Sequence, residues 1–332
     1  MKSARILLVF LPLFVLSCQK EMPSIENKEA ALRVSDSIEE NKIFPWVEEL
    51  TELHLKDSPV DNTGFPAGEL FPSDHLTRSA AVGFVANALN EMGYTADTVV
   101  LGNEPQVAYN VVAEKKGSLL PNEVVLVACH LDAFYGGADD NTTAVAAMLE
   151  IARAAKKFSF ARTIRFVAFD LEEFGSVGST CYIEAGYAND VVSAVVMDLL
   201  GYSSEKADSQ KDVFGVKLPD VGNYLLVIGN QKSAEVTQQV VNLSYTSTIA
   251  KTLGIIAPGN AHYFISSVFT RSDHGLMWYK GIPAIFFTDG ANTRNPNYHL
   301  PSDLPETLNE DFLIANTKLI AAAVAILAEV QP

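Results

Sequence analysis

The hydrophobic pattern is clearest in the middle of the chain. Residues 123–130, EVVLVACH, are almost continuously apolar, as expected of a strand covered on both faces. Residues 142–158, TTAVAAMLEIARAAKKF, repeat their apolar positions at helical spacing, which predicts an amphipathic helix. The same reading predicts strands over 162–170, 192–200, 224–230 and 282–290, and helices over 177–187, 233–253 and 307–330. Upstream, 78–92 is helical with Gly93 as its stop, and YTADTVVL and QVAYNVVAEKKG are two strands able to pair. Residues 201–222 and 255–275 are irregular and polar, hence loops. Strands alternating with helices imply an α/β fold with a mostly parallel or mixed central sheet sandwiched by helices. No repeat or strong linker divides the chain, so residues 41–332 read as a single domain.

The N-terminus breaks this pattern. Lys2 and Arg5 precede an eleven-residue apolar run, Ile6 to Leu16, interrupted by Pro12. It is too short to span a bilayer and suits a signal peptide over residues 1–17. The run ends in VLSC, which resembles a bacterial lipobox. The resemblance implies lipidation of Cys18, a membrane anchor and residence in the cell envelope; an ordinary secretory signal is the alternative. CQKE lacks an Asp after the cysteine, which argues against inner-membrane retention. Residues 18–40 read as a polar tether. The formal charge of −16 becomes −18 once Lys2 and Arg5 are removed (−16 − 2). Nucleic acid is therefore not an expected partner, because phosphate binding wants a basic face. Cys129 and Cys181 remain; two buried free thiols are expected, with a disulfide as the alternative.

Charge changes the picture most at the strand ends, where open α/β sheets build their sites. His130 and Asp132 follow the strand 123–129, and Asp139 and Asp140 precede the next helix. Glu172 and Glu173 follow 162–170, Asp198 closes the apolar AVVMD, and His299 lies beyond 282–289. Each has a plainer explanation alone. Asp140 suits a helix N-terminus, the two glutamates suit a solvated loop, and a lone histidine is usually structural. Asp198 is harder to explain away, since an unpaired charge at the end of a buried strand is rare. Together they form a mixed nitrogen and oxygen donor set suited to zinc. Five ligands exceed one tetrahedral site unless a carboxylate bridges two ions, a known hydrolytic device.

The motifs HLD…GADDN, DLEEFGSVGS, VVMD and YHLPSD resemble the M28 family of zinc aminopeptidases, over roughly residues 78–330. The resemblance implies a phosphorylase/hydrolase-like zinc-exopeptidase fold and two Zn2+ ions. It implies that His130, Asp140 and Asp198 bind one zinc, that Asp140, Glu173 and His299 bind the other, and that Asp140 bridges them. It further implies Glu172 as general base, Asp132 as the group that orients His130, and Tyr298 as a hydrogen-bond donor to the oxyanion. The substrate would be a peptide with a free N-terminus. Thr142 to Ala144 replace the family's frequent Gly-Ser-Gly, which alters packing at the helix start and not the ligands. Asp273 and His274 read as structural or close to substrate, and His54, His75 and His262 match nothing. Tyr202, Phe264 and Phe269, on the two loops, hint at an apolar pocket. Three other readings stay open: a glutaminyl-cyclase-like acyltransferase with one zinc, a carboxypeptidase or dipeptidase, and a non-catalytic binding protein on the same scaffold.

Overall fold

The computed structural model describes residues 25–61, 68, 72–104, 106–213, 216–259 and 269–331. The expected signal peptide, Cys18, His262 and Phe264 lie outside these residues. An eight-stranded sheet runs in the order β2-β3-β6-β4-β7-β10-β8-β9. Its strands are β2 (Asp97–Asn103), β3 (Gln106–Lys115), β4 (Leu120–His130), β6 (Arg162–Phe169), β7 (Val191–Met197), β8 (Leu225–Gly229), β9 (Thr252–Ile256) and β10 (Ala284–Thr288). The block β6-β4-β7-β10 is parallel; β2, β3 and the β10–β8 junction are antiparallel, and β9 joins β8 in parallel. The short strands β1 (Leu76–Thr77) and β5 (Ala133–Phe134) pair separately.

Strand alternation sends side chains into two cores. Val125, Val127 and Cys129 of β4 face a core shared with α3 (Ser79–Glu91), α4 (Ala144–Ala155), α6 (Ala234–Ser247) and α8 (Glu310–Leu327). Val124, Leu126 and Ala128 face the other core, under α5 (Val177–Glu184) and α7 (His274–Lys280). Burial on both faces explains why β4 and β7 read as unbroken apolar runs rather than alternating ones.

Two sequence expectations need correction. Residues 25–36 of the expected tether form helix α1 (Ile25–Asp36), followed by α2 (Glu40–Lys56). Ala31, Val34 and Ile38 recur at helical spacing and are buried in the same core as α8. The apolar stripe is narrow and its residues small, so the segment looks polar on average. Downstream, the expected helix 233–253 stops at Ser247, where Thr248 adopts a left-handed conformation (φ 58°). Its last residues belong to β9, and α7 begins inside the stretch expected to be loop.

Loop placement around β6 depends on close backbone approach. Asn110 accepts the Asp170 N–H (3.0 Å) and donates to the Gly178 carbonyl (3.0 Å). A Cβ on Gly178 would lie 2.3 Å from the Asp170 carbonyl oxygen, so only glycine lets α5 start here. The Asp170 carboxylate pairs with Arg78 (2.6 Å) and accepts the Tyr109 N–H (2.8 Å). These contacts fix where the loop carrying Glu172 and Glu173 leaves the sheet.

Candidate metal centre

β4 and β7 are parallel, with Ala128 opposite Val196. That register carries His130 and Asp198, each two residues further on, to neighbouring strand ends. His130 Nε2 lies 3.3 Å from Asp198 Oδ1 and 3.3 Å from Asp140 Oδ1. His299 Nε2 lies 3.1 Å from Asp140 Oδ2 and 3.0 Å from Glu173 Oε2. The two carboxylate oxygens of Asp140 therefore face different histidines. All five side chains expected to bind metal meet at this edge, and all are buried.

The carboxylates around both histidines favour the charged imidazole. Burial opposes the charge on His130, but Asp198, Asp132 and Asp140 outweigh it and raise its pKa well above the ordinary value. Burial likewise opposes charge on His299, and Glu173 and Asp140 push it up to about 11. Burial raises Glu173 to about 7, helped by Asp140 and opposed by His299. So much carboxylate in a buried space calls for compensating positive charge. A divalent cation can supply it, with the imidazoles binding as neutral ligands and releasing their protons. Spacing agrees with this: tetrahedral zinc with bonds of about 2.0–2.1 Å sets its ligand atoms about 3.3 Å apart. The four contacts above run from 3.0 to 3.3 Å. Glu173 Oε1 is also buried, with no hydrogen-bond partner among the described residues.

Glu172 sits beside this group, not within it. Burial lifts its pKa well above the carboxylate range; His130 opposes, and Asp273, Asp198 and Glu173 add to the rise. Its carboxylate accepts a long hydrogen bond from Ser176 Oγ at 3.5 Å. Asp132 does something the sequence did not suggest. Its carboxylate accepts the N–H groups of Glu172 (3.0 Å) and Glu173 (3.2 Å). His130 Nδ1 lies nearer the main-chain carbonyl of Asp132 (3.0 Å) than its carboxylate (3.6 Å). Tyr298 stacks on the His299 ring (centroids 3.8 Å apart, 16° between planes). Burial first, then Asp140 and Glu173, raises the Tyr298 pKa, so its hydroxyl keeps its proton.

An apolar pocket opens beside Asp198 and Tyr298, lined by Val213, Leu226, Ile228, Ile255, Phe269 and Phe286. Most of these are strand residues. Phe269 takes the expected place, whereas Tyr202 is not among the lining residues and gives its N–H to Asp289 (2.9 Å). Asp273 accepts a short hydrogen bond from Ser179, and burial raises it to about 7. His274 donates to or accepts from nothing at the cluster; its Nε2 meets the Phe269 carbonyl. Cys129 and Cys181 are both free, but only Cys129 is buried.

Four side chains to which the sequence assigns no role at the metal hold the centre together. Asn141 links to the chain on both sides of Asp198, donating to the Met197 carbonyl (3.3 Å) and accepting the Leu199 N–H (3.1 Å). Asp303 accepts the N–H groups of Asp139 (3.0 Å) and Asp140 (3.1 Å). Buried Asp139 accepts from Gly201 (2.8 Å) and Asn295 (2.7 Å), and burial beside Asp289 keeps its pKa well above normal. Thr143, in the departure from Gly-Ser-Gly, gives its hydroxyl to the Asp139 carbonyl (2.8 Å) and accepts the Leu200 N–H (3.1 Å).

Residues 110–324 match the model of peptidase family M28. The chain belongs to that family. It is 29% identical over 293 residues to the Escherichia coli uncharacterized protein YfbL, covering 80% of this chain and 87% of that one. It is 27% identical to Bacillus subtilis aminopeptidase YwaD, covering 66% of this chain and 44% of that protein. Among solved structures, Legionella pneumophila LapA aminopeptidase aligns with a TM-score of 0.64 at 19% identity over 94% of this chain and 77% of the other. A zinc aminopeptidase from Bacillus subtilis aligns at 0.52 and 24% identity over 67% and 50%. Porphyromonas gingivalis glutaminyl cyclase aligns at 0.59 and 14% identity over 88% and 98%. At these identities the structures establish the fold, which aminopeptidases and a cyclase share. This M28 peptidase is a hydrolase.

Proposed function

We propose that this chain is a dinuclear zinc aminopeptidase, removing residues from the free N-terminus of peptides. The observation that carries the reading is Asp140, whose two oxygens each face a different histidine while Asp198 and Glu173 complete the two sides. His130, Asp140 and Asp198 hold one ion; Asp140, Glu173 and His299 hold the other. Zinc, when bound, supplies Lewis acidity toward the scissile carbonyl and the attacking water. Glu172 accepts the proton of that water and returns it to the leaving amine. The Tyr298 hydroxyl donates to the oxygen on which charge develops. The carboxylates meet the substrate's free amine, and the apolar pocket receives its first side chain. The N-terminal sequence supports export and lipid attachment through Cys18, and with them residence at the cell envelope.

The test is a zinc-loaded preparation assayed against aminoacyl-anilides, with metal content measured per chain. Two zincs and anilide hydrolysis are expected, and Glu172→Gln should keep both zincs while losing turnover. One zinc per chain with cyclisation of N-terminal glutamine would assign the acyltransferase reading instead. Cleavage confined to C-terminal residues would assign a carboxypeptidase.

A further inference from the structure

Asp303 closes the YHLPSD motif and is used by none of the steps above. It is almost fully buried, 1% exposed. Its Oδ1 accepts the N–H of Asp139 (3.0 Å) and its Oδ2 that of Asp140 (3.1 Å). Its main-chain carbonyl accepts the N–H of Ala138 (3.2 Å). Three consecutive amides thus converge on one residue. Both side-chain oxygens are occupied by amide donors, so this carboxylate is placed to hold backbone and not a metal ion.

Asp303 lies four residues after His299, on a tightly wound segment. Leu300 N–H donates to Asn297 O (2.9 Å), and Asp303 N–H donates to Leu300 O (3.0 Å). The segment that supplies His299 therefore also grips the peptide units that carry Asp140. The other side of the centre repeats the arrangement. Asp132, two residues after His130, grips the amides of Glu172 and Glu173. Each histidine segment thus carries a buried carboxylate that clamps a segment bearing an acidic side chain.

Resting on the metal centre read above, we propose that Asp303 is a positioning residue that fixes Asp140 between the two histidines and so sets the spacing of the two ion sites. Two parallel amide donors need two acceptor oxygens. Asparagine offers one oxygen and one NH2 group, which would confront an N–H with another donor. Either amide, left unpaired in this buried place, would turn toward another acceptor and carry Asp140 with it.

The experiment compares wild type, Asp303→Asn and Asp303→Ala, using zinc affinity by chelator competition and the visible absorption of the cobalt-loaded protein. Circular dichroism and melting in excess chelator report folding separately. Zinc affinity should fall about 10- to 100-fold, as for other groups that hold metal ligands, and the cobalt bands should change shape. Should both variants fail to fold, Asp303→Glu, which keeps two oxygens one methylene further out, is read in their place. Zinc affinity within twofold of wild type, with superimposable cobalt spectra, overturns the proposal even if the chelated variant melts lower, because Asp303 then serves stability alone. Wild-type protein that binds no zinc overturns the metal-centre reading itself, which separates the two failures.

Discussion

Asn141 holds Asp198 by the peptide groups on either side of it. Its Nδ2 donates to the Met197 carbonyl at 3.3 Å and its Oδ1 accepts the Leu199 N–H at 3.1 Å. An amide is the side chain that does both at once, since it carries a donor and an acceptor on one plane. Asn141→Asp keeps the acceptor, loses the donor and adds a buried charge next to Asp140. We expect it to lower stability by about 1–3 kcal/mol, the range for leaving a buried polar group unpaired. Activity on aminoacyl-anilides should fall at least tenfold. Denaturant unfolding beside steady-state kinetics checks this, and wild-type values in both would remove Asn141 from the positioning of Asp198.

The Tyr298 ring and its hydroxyl have separable duties. The ring stacks on His299, and in the reaction proposed above the hydroxyl donates to the oxygen on which charge develops. Tyr298→Phe keeps the stack and deletes the donor. Removing a comparable oxyanion donor costs about 10²- to 10³-fold in kcat, so a loss of that order is expected with KM nearly unchanged. Zinc content should not move. A fall in zinc content instead of kcat would mean that Tyr298 supports His299 rather than the transition state.

Acid should destabilise the fold through a histidine outside the centre. His54 on α2 is buried, and its Nδ1 lies 2.8 Å from the Thr77 hydroxyl. Burial lowers its pKa from 6.5 to about 4, against weaker upward pulls from Asp132 and Asp57. Above pH 6.5 it is neutral in both folded and unfolded chains and adds no pH dependence. Below that the unfolded chain takes up a proton that the folded chain refuses, so stability falls until the pH nears 4. The depth is about 3 kcal/mol at about 1.4 kcal/mol per pKa unit. Buried acids with raised pKa values, such as Asp170 at about 7, act in the opposite direction. The useful quantity is therefore the difference between wild type and His54→Asn, measured in chelator. Wild type's advantage should shrink from pH 6.5 to 4, and a constant difference would show that His54 titrates normally.

What could be read from the sequence follows the range of the forces involved. Strands β4 and β7 were legible because two-sided burial writes itself as consecutive apolar residues. His130, Asp140, Glu173, Asp198 and His299 were legible because charge at the end of such strands is costly without a purpose, and because the motifs around them resemble a family. Asp303 and Asn141 were not: their partners lie 163 and 58 residues away, and each side chain works by meeting backbone amides that no sequence pattern encodes. An aromatic ring on a loop, such as Tyr202, suggests a pocket wall, yet the wall is built mostly by the strand residues Leu226, Ile228, Ile255 and Phe286, whose apolar character fits a buried strand equally well. β9 spans the boundary between an expected helix and an expected loop; at five residues and at the sheet edge it is too short to stand out as a strand.

Helix α1 gives the last test, because a tether and a structural element respond differently to deletion. A tether can be shortened without changing the melting temperature. α1 buries Ala31 and Val34, and Ile38 follows it into the same core. Lys28 also reaches Thr246 at the end of α6 (2.8 Å). Burying a valine or isoleucine contributes about 1.5–3 kcal/mol, and part of that gain is offset by the entropy of ordering the segment. Removing residues up to Asp36 should therefore cost about 3 kcal/mol. At about 2 °C per kcal/mol for a chain of this size, the melting temperature should drop by about 6 °C. The point variant Val34→Asp, which places a carboxylate in the core without shortening the chain, should destabilise by a similar amount or more. Because α1 packs chiefly against α8 and α4 rather than at the strand ends that carry the five converging side chains, zinc affinity at 25 °C should stay within twofold of wild type in both variants. Unchanged melting in both would return residues 25–36 to the role of a tether.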